Sequence, residues 1–469
     1  QPYRHQGLAG RLSYTFDRRY VGEFNFGYNG SENFAKGKRM GFFPSAAIGW
    51  LVSEEKFWER IRPIVSKLKL RASIGLVGND NIGSKRRFAY LSTIDMDGWD
   101  YYFGTNAEYH YKGIREGEVG VSDLTWETVL KENIGLEIGL WNSLELQIDF
   151  FKDYRKNIFI QRSIIPTQAG FIKTPYANYG KVENTGMEMS LTYNKKFTKD
   201  FSMSLRGNFT YAKNKITECD EPESVKGTHR SRTGESVKTL YGYFADGLYA
   251  DEDFNVDGSL KEELPVPTLS NEVRPGDIKY LDKNGDGFIT EADKGYIGGT
   301  TVPRLIYGFG GNFQYKNFDL GVFFQGSGDY YRMIGGEDGD EDLGFIPGGG
   351  QEIRSNIFSN YNDRWTEENP SQNVFWPRLS YGPNTNNSVA STWWKKDMSF
   401  LRLKMLEVGY SLPRSITDKM HANSIRFYIS GNDLFYFSKF KLWDPELATN
   451  TGCKYPAMSS IMVGVDLNF

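Results

Sequence analysis

The sequence predicts an all-β fold, a transmembrane antiparallel β-barrel, and three observations carry that prediction. Apolar residues recur at every second position over many segments, and the connections between those segments alternate between short and long. Aromatic residues make up 15% of the chain, yet its mean hydropathy is only −0.53. No stretch supplies the ~18 consecutive apolar residues of a membrane helix. A barrel wall needs apolar side chains only at alternate positions, so its average stays polar.

The alternation begins with Leu8, Leu12, Tyr14 and Phe16, set against Ala9, Arg11, Ser13 and Thr15. It returns in Leu70, Ala72, Ile74 and Leu76, and is cleanest in Ile134, Leu136, Ile138 and Leu140 against Asn133, Gly135, Glu137 and Gly139. Leu144, Leu146, Ile148 and Phe150 follow, then Met187–Tyr193, Phe201–Tyr211, Leu305–Tyr315 and Phe318–Phe324 in the same rhythm. Ile425, Phe427 and Ile429 lead to the closing Val463, Val465, Leu467 and Phe469. One apolar and one hydrated face per strand is what a wall between lipid and a wet lumen requires. The pattern gives about thirteen strands, each near the ~10 residues that cross a bilayer at a tilt. Ile138 and Leu146 are placed at the membrane midplane, and Gln147 on the lumenal face.

Short connections fall at 17–20, 141–143, 195–200 and 316–317, with 413–423 and 53–67 as longer members of that set. Within 53–67, SEEKFWERI reads as a short helix. Long connections span 79–128, 160–184, 218–302, 330–396 and 441–458. Short turns on one side and long loops on the other are the outer-membrane pattern, with the long loops outside. Bacterial single-chain barrels have even strand numbers, so an odd count near thirteen predicts further strands upstream. The opening QPYRHQGLAGRLSYTF contains no signal peptide. An exported protein is therefore expected to have its native N-terminus upstream of Gln1.

A net charge of −3 gives no reason to expect nucleic acid as partner. Two cysteines, Cys219 and Cys453, are too few to organise a disulfide framework; they are either free thiols or one bridge between outer loops. The segment Asp282-Lys-Asn284-Gly-Asp286-Gly-Phe288-Ile-Thr-Glu-Ala-Asp293 has the spacing of an EF-hand-type calcium loop. Side-chain oxygens stand at positions 1, 3 and 5, a glycine at 6, a backbone carbonyl at 7 (Phe288) and a carboxylate at 12. Asp at position 12 reaches less far than the usual Glu. The competing reading is a glycine-rich turn without metal. Trp99, Tyr101, Tyr102, Phe103, Tyr109 and Tyr111 in the 79–128 loop either stack on sugar faces or pack the loop. Trp393 and Trp394 sit where an interfacial girdle belongs. The acidic run 337–342 reads as a solvated loop face. No spacing of the four histidines suits a transition metal, and no nucleophile elbow, P-loop or dinucleotide fingerprint is present. The chain is expected not to be an enzyme, and its substrate-binding residues stay unassigned.

The motifs GFFPSAAIGWLVSEEKFW (41–58), LKLRASIGLVGNDNIG (68–83), WETVLKENIGLEIGL (126–140) and VENTGMEMSL (182–191) occur in that order. PGDIKYLDKNGDG to YKNFDLGVFFQGS (275–327), FLRLKMLEVGYSLP (400–413), RFYISGNDLF (426–435), the DPE of 444–446 and the final VGVDLNF complete the series. Together they resemble the C-terminal barrel portion of SusC/RagA-type TonB-dependent outer-membrane transporters. The resemblance implies a 22-stranded barrel, within the size class of plugged transporters, with nine strands and a plug domain preceding this portion. It further implies active import of oligosaccharides or peptides at the Gram-negative outer membrane, a SusD-like surface lipoprotein as lid, and energy from the TonB complex through the N-terminal part. The outer loops 218–302 and 330–396, with a helix-like run at 355–369, are expected to hold the lid partner, since they carry Tyr241, Tyr243, Phe244, Phe345, Phe358 and Trp365. A passive porin would share the barrel without the plug; a secreted β-rich glycan-binding protein would share the aromatics and the calcium loop.

Overall fold

The computed structural model describes residues 4–83, 87–270, 272–334, 358–380, 384–452 and 454–469. Thirteen long strands form one antiparallel sheet in sequence order. They are β1 (His5–Phe16), β2 (Tyr20–Ser31), β3 (Met40–Leu51), β4 (Val65–Asn79), β5 (Glu127–Leu140), β6 (Leu144–Gln161) and β7 (Tyr176–Lys196). β8 (Phe201–Glu218), β9 (Leu305–Tyr315), β10 (Phe318–Gly328), β11 (Phe400–Ser411), β12 (Ser424–Ser438) and β13 (Ser460–Asn468) complete it.

Register keeps each side-chain row on one face. Ile138 lies opposite Leu146 and Leu68, while Glu137 lies opposite Gln147 and Lys69. A slip of one residue would exchange the two faces throughout, so the apolar pattern fixes the pairing. The apolar rows point outward: Leu8, Ile48 and Ile134 are 64–68% exposed. The other face carries ion pairs, among them Arg11 with Glu23 and Lys67 and Lys69 with Glu137. At one point a pair spans an intervening strand. Arg71 and Asp149 both lie opposite Gly135, and Arg71 Nη2 reaches Asp149 Oδ2 at 2.6 Å across it. A Cβ at Gly135 would come within 2.5 Å of Arg71 Nε, so the bridge needs the missing side chain.

The short-turn end of the sheet is banded by aromatics in register. Phe16 faces Tyr20 and Tyr20 faces Trp50; farther along the chain Phe201, Tyr315, Phe318, Tyr410 and Phe427 follow one another across five strands. Such a row is an interfacial girdle.

The chain divides into two compact units, Gln1–Met189 with Ala212–Lys226 and Arg232–Gly234, and Ser190–Tyr211 with Gly227–Ser231 and Glu235–Phe469. The first holds a small core of Phe34, Ala89, Val121, Leu124 and Trp126. The second holds a larger core built from the long connections, with Tyr243, Leu248, Ile278, Ile289, Trp376 and Trp394 at its centre.

Four expectations need correction. The 53–67 segment is a chain of tight turns, not one helix, because Glu55 takes an extended backbone (φ −75°, ψ 146°). That conformation carries its carboxylate to the Tyr20 hydroxyl, the Trp50 indole N–H and Arg19. In 355–369, residues 355–357 lie outside the described set, and 358–369 forms turns and bridges. Trp365 is buried and its N–H bonds the Trp376 carbonyl, so tertiary packing overrides helical spacing. The connection 160–184 is shorter than expected, since β7 starts at Tyr176, whose ring stacks on Phe159 at 5.1 Å. Trp394 is not a girdle residue: it is fully buried in the loop core, and Trp393 packs against that core. Phe345, the run 337–342 and Cys453 lie outside the described residues; Cys219 has its thiol 3.4 Å from Thr233 Oγ1.

Candidate functional site

The long connections 219–304, 329–399 and 439–459 would be costly to order as bare loops, since each residue fixed loses about 1–2 kcal/mol of backbone entropy. They share one core instead. At its centre the Asp277 carboxylate is fully buried. It accepts from Arg378 Nη2 at 2.9 Å and Nε at 3.1 Å, from Asn384 Nδ2 at 3.0 Å, from Asn387 Nδ2 at 2.9 Å and from the Arg274 amide at 2.9 Å. Asn387 continues the network: its Oδ1 accepts from the Ile278 amide and its carbonyl from the Trp394 indole. A buried charge persists only when paired and hydrogen-bonded, and this one ties 274–278 to Arg378 and to 384–394. Nearby, burial pushes the Tyr249 hydroxyl up to about 12, helped by the charges of Asp253 and Asp277.

A second polar cluster anchors 439–459. Arg402 on β11, buried among its neighbours, pairs with Asp444 and, at 2.7 Å, with Glu446. Lys404 reaches Asp433 and Glu446, each at 2.9 Å. Asp277, Arg402 and Asp444 lie within the motifs 275–327, 400–413 and 444–446, where the sequence pattern gives them no role. The available signals were Asp277 directly after Pro275-Gly276, Asp444 directly before Pro445, and Arg402 as a charge between Leu401 and Leu403 near a strand end.

The calcium-loop residues are brought into one curl. Asp282 accepts from the amides of Gly285 (2.6 Å) and Gly287 (2.8 Å), bonds that hold its carboxyl below the usual range, the Gly287 amide contributing most. Asn284 and Asp286 bond each other, and Phe288 donates to Asp286. Asp293 is fully buried, with Oδ1 on the Lys283 amide and Oδ2 on the Thr290 amide. Gly285 and Gly287 take φ of +76° and +81°, which a side chain would resist. Among the described residues no group of three His, Cys, Asp or Glu side chains forms a metal cluster. The donor set is oxygen throughout, which suits a hard cation and no transition metal. A carboxylate with roughly four acceptor sites can keep an amide bond and still offer an oxygen.

The aromatic group of the 79–128 connection stands apart. Residues Asp100–Phe103 and Tyr109–Lys112 pair as a hairpin, with Tyr101 opposite Tyr111 and Tyr102 stacked on His110 at 4.9 Å. Trp99, Tyr101, Tyr102, Phe103, Tyr109 and Tyr111 are all 52–66% exposed, so they do not pack a loop core.

A sequence profile described as TonB dependent receptor-like, beta-barrel matches residues 4–366. The chain belongs to that family. It is 28% identical to TonB-dependent receptor P3 of Formosa agariphila over 98% of this chain and 45% of that protein. It is 27% identical to TonB-dependent receptor SusC of Bacteroides thetaiotaomicron over 98% of this chain and 43% of that one. The RagAB peptide importer in its closed-closed state superposes with a TM-score of 0.72 at 21% identity, over 100% of this chain and 48% of that chain. The TonB-dependent receptor chain described here thus spans about half the length of the relatives it matches. It is of SusC/RagA type, and its place is the outer membrane of a Gram-negative bacterium.

Proposed function

We infer that this chain forms the C-terminal barrel wall and extracellular mouth of an active nutrient importer, driven through TonB and covered by a SusD-like surface lipoprotein. The observation that carries the reading is the shared loop core around Asp277. It turns three long connections into a preformed outer surface, in a protein whose family is that of TonB-dependent receptors. The cargo is an oligosaccharide or a peptide. Trp99, Tyr101 and Tyr109 offer ring faces suited to either, and RagAB, which shares this fold, is a peptide importer. Purification in mild detergent by a tag on this protein should recover a lipidated partner at near-equal stoichiometry. Recovery of the barrel alone, with 235–304 and 358–399 open to protease, would defeat the lidded reading.

Calcium belongs to the same proposal. An ion held by Asp282, Asn284, Asp286, the Phe288 carbonyl and Asp293, at roughly 2.3–2.6 Å, would stiffen the loop. Terbium luminescence sensitised by the Phe and Tyr residues nearby should titrate with the wild-type protein and be competed by calcium. Asp282→Ala should abolish it. An unchanged signal in that variant would reject the site.

A further inference from the structure

The connection 52–64, at the short-turn end of the sheet, carries three large apolar side chains that the described residues leave exposed: Phe57 is 64%, Ile61 41% and Ile64 58% exposed. Their spacing of four and then three residues places them on one side of a helical or turn-rich segment. The segment is not a loose loop. Successive turns close from Glu55 to Val52, Trp58 to Glu55, Ile61 to Trp58 and Val65 to Ile61. Glu55 is fixed by Tyr20, Trp50 and Arg19; the Trp58 indole N–H donates to the Val65 carbonyl at 3.0 Å; Arg62 donates to the Ser53 carbonyl and pairs with Glu54. An ordered segment that holds three apolar groups out of its own fold has something to bury them in.

The identity of that covering follows from what the segment adjoins. Glu55 is bonded to Tyr20 and Trp50, two members of the aromatic band. At its other end the Ile64 carbonyl accepts the amide hydrogen of Trp141, itself 54% exposed at the neighbouring turn. The apolar patch thus adjoins the aromatic band at one end and an exposed tryptophan of the next turn at the other. Charge does not decide the matter, since Lys56, Arg60 and Arg62 are balanced by Glu54, Glu55 and Glu59. We propose that residues 52–64 lie in the interface of the periplasmic leaflet, with Phe57, Ile61 and Ile64 immersed in lipid. Amphipathic segments of this kind sink their apolar side roughly 5–10 Å into the headgroup–acyl boundary. The longest early turn of the barrel would then be held against the membrane and away from the lumenal exit. This goes beyond the importer reading and stands without it.

The test is depth measurement on the full-length protein in vesicles of phosphatidylethanolamine and phosphatidylglycerol. Phe57→Cys, in a background with Cys219→Ser and Cys453→Ser, is labelled with an environment-sensitive fluorophore. Ile134→Cys serves as the lipid-facing reference and Tyr102→Cys as the aqueous one. Heat-dependent gel mobility confirms that each variant has folded, and Ile61→Cys replaces Phe57→Cys should that one fail. Lipid-borne quenchers should dim the probe at 57 several-fold more than the probe at 102, with iodide acting in the reverse order. Iodide quenching equal to that at 102 overturns the proposal. Protection from both quenchers also overturns it, because protein would then cover the patch.

Discussion

On β5, Ile134 stands 66% exposed while Glu127 and Gly135 are buried; in the connections of the second unit, Trp394, Tyr243 and Ile278 have no exposed surface at all. The two regions draw on the same apolar residue types and turn them in opposite directions. In the strands, the polar face folds inward, where Arg71 pairs with Glu137 and Asp149, and the apolar face waits for lipid. In the connections, the apolar groups retreat from water and the buried carboxylate of Asp277 is surrounded by donors. The difference lies in the surrounding medium, not in the side chains. Each region is a well-formed protein structure only in its own solvent.

The largest effect should come from breaking the loop core at its charge. Asp277→Ala leaves Arg378, Asn384 and Asn387 without their acceptor, and removal of one partner from a buried pair costs about 3–5 kcal/mol. Hydrogen exchange should rise across 235–304 and 358–399, whereas the heat-modifiable mobility of the barrel should stay as in wild type. If both change together, the two regions are not separable in stability. Next, Leu136→Arg on the lipid row should cost about 2–4 kcal/mol in a refolding titration, and Gln147→Arg on the hydrated face far less. Equal costs would contradict the inside–outside assignment. Ile138→Arg and Leu146→Arg, on the same apolar face, should cost about as much as Leu136→Arg.

How much of this was legible depends on the range of the interactions. Strand number, faces and connection asymmetry came through because a period of two is local, and residues such as Ile134 and Glu137 declare their faces without knowing their partners. The helix expected at 53–67 failed at Glu55, whose extended backbone is dictated by Tyr20 and Trp50, more than thirty residues and five residues away respectively. Trp394 was read as interfacial from its place next to a strand, yet its partners Asn387 and Trp376 come from a fold that no periodicity encodes. The calcium-loop residues were visible as a motif since all their spacing lies within one turn. The Asp277 network was not, because its donors stand about a hundred positions farther along the chain.

The smallest expected effect tests whether the loop core behaves as a dry interior. Lys396 lies in the connection between β10 and β11, with its ammonium 4.4 Å from the Phe375 ring and 6.0 Å from Trp393. Burial lowers its pKa to about 8, with the charge of Asp363 pulling the other way. The sign follows from the two states. The unfolded lysine titrates near its ordinary ~10.4, so as pH falls from there toward 8 the opened loop gains a proton that the closed loop does not take. The core therefore loses stability over that window and stays level below it. The Phe375 face favours the charged form by about 0.5–2 kcal/mol and trims the loss, leaving a net effect on the order of 1 kcal/mol. Hydrogen exchange of 358–399, corrected for its intrinsic pH dependence, should show more frequent opening at pH 8 than at pH 10 in wild type. In Lys396→Met, which keeps the apolar stem and removes the titrating group, that difference should disappear. A wild-type core equally closed at both values would mean that water reaches Lys396, and the contrast between a dry loop core and a wet lumenal face would be weaker than the burial of Trp394 implies.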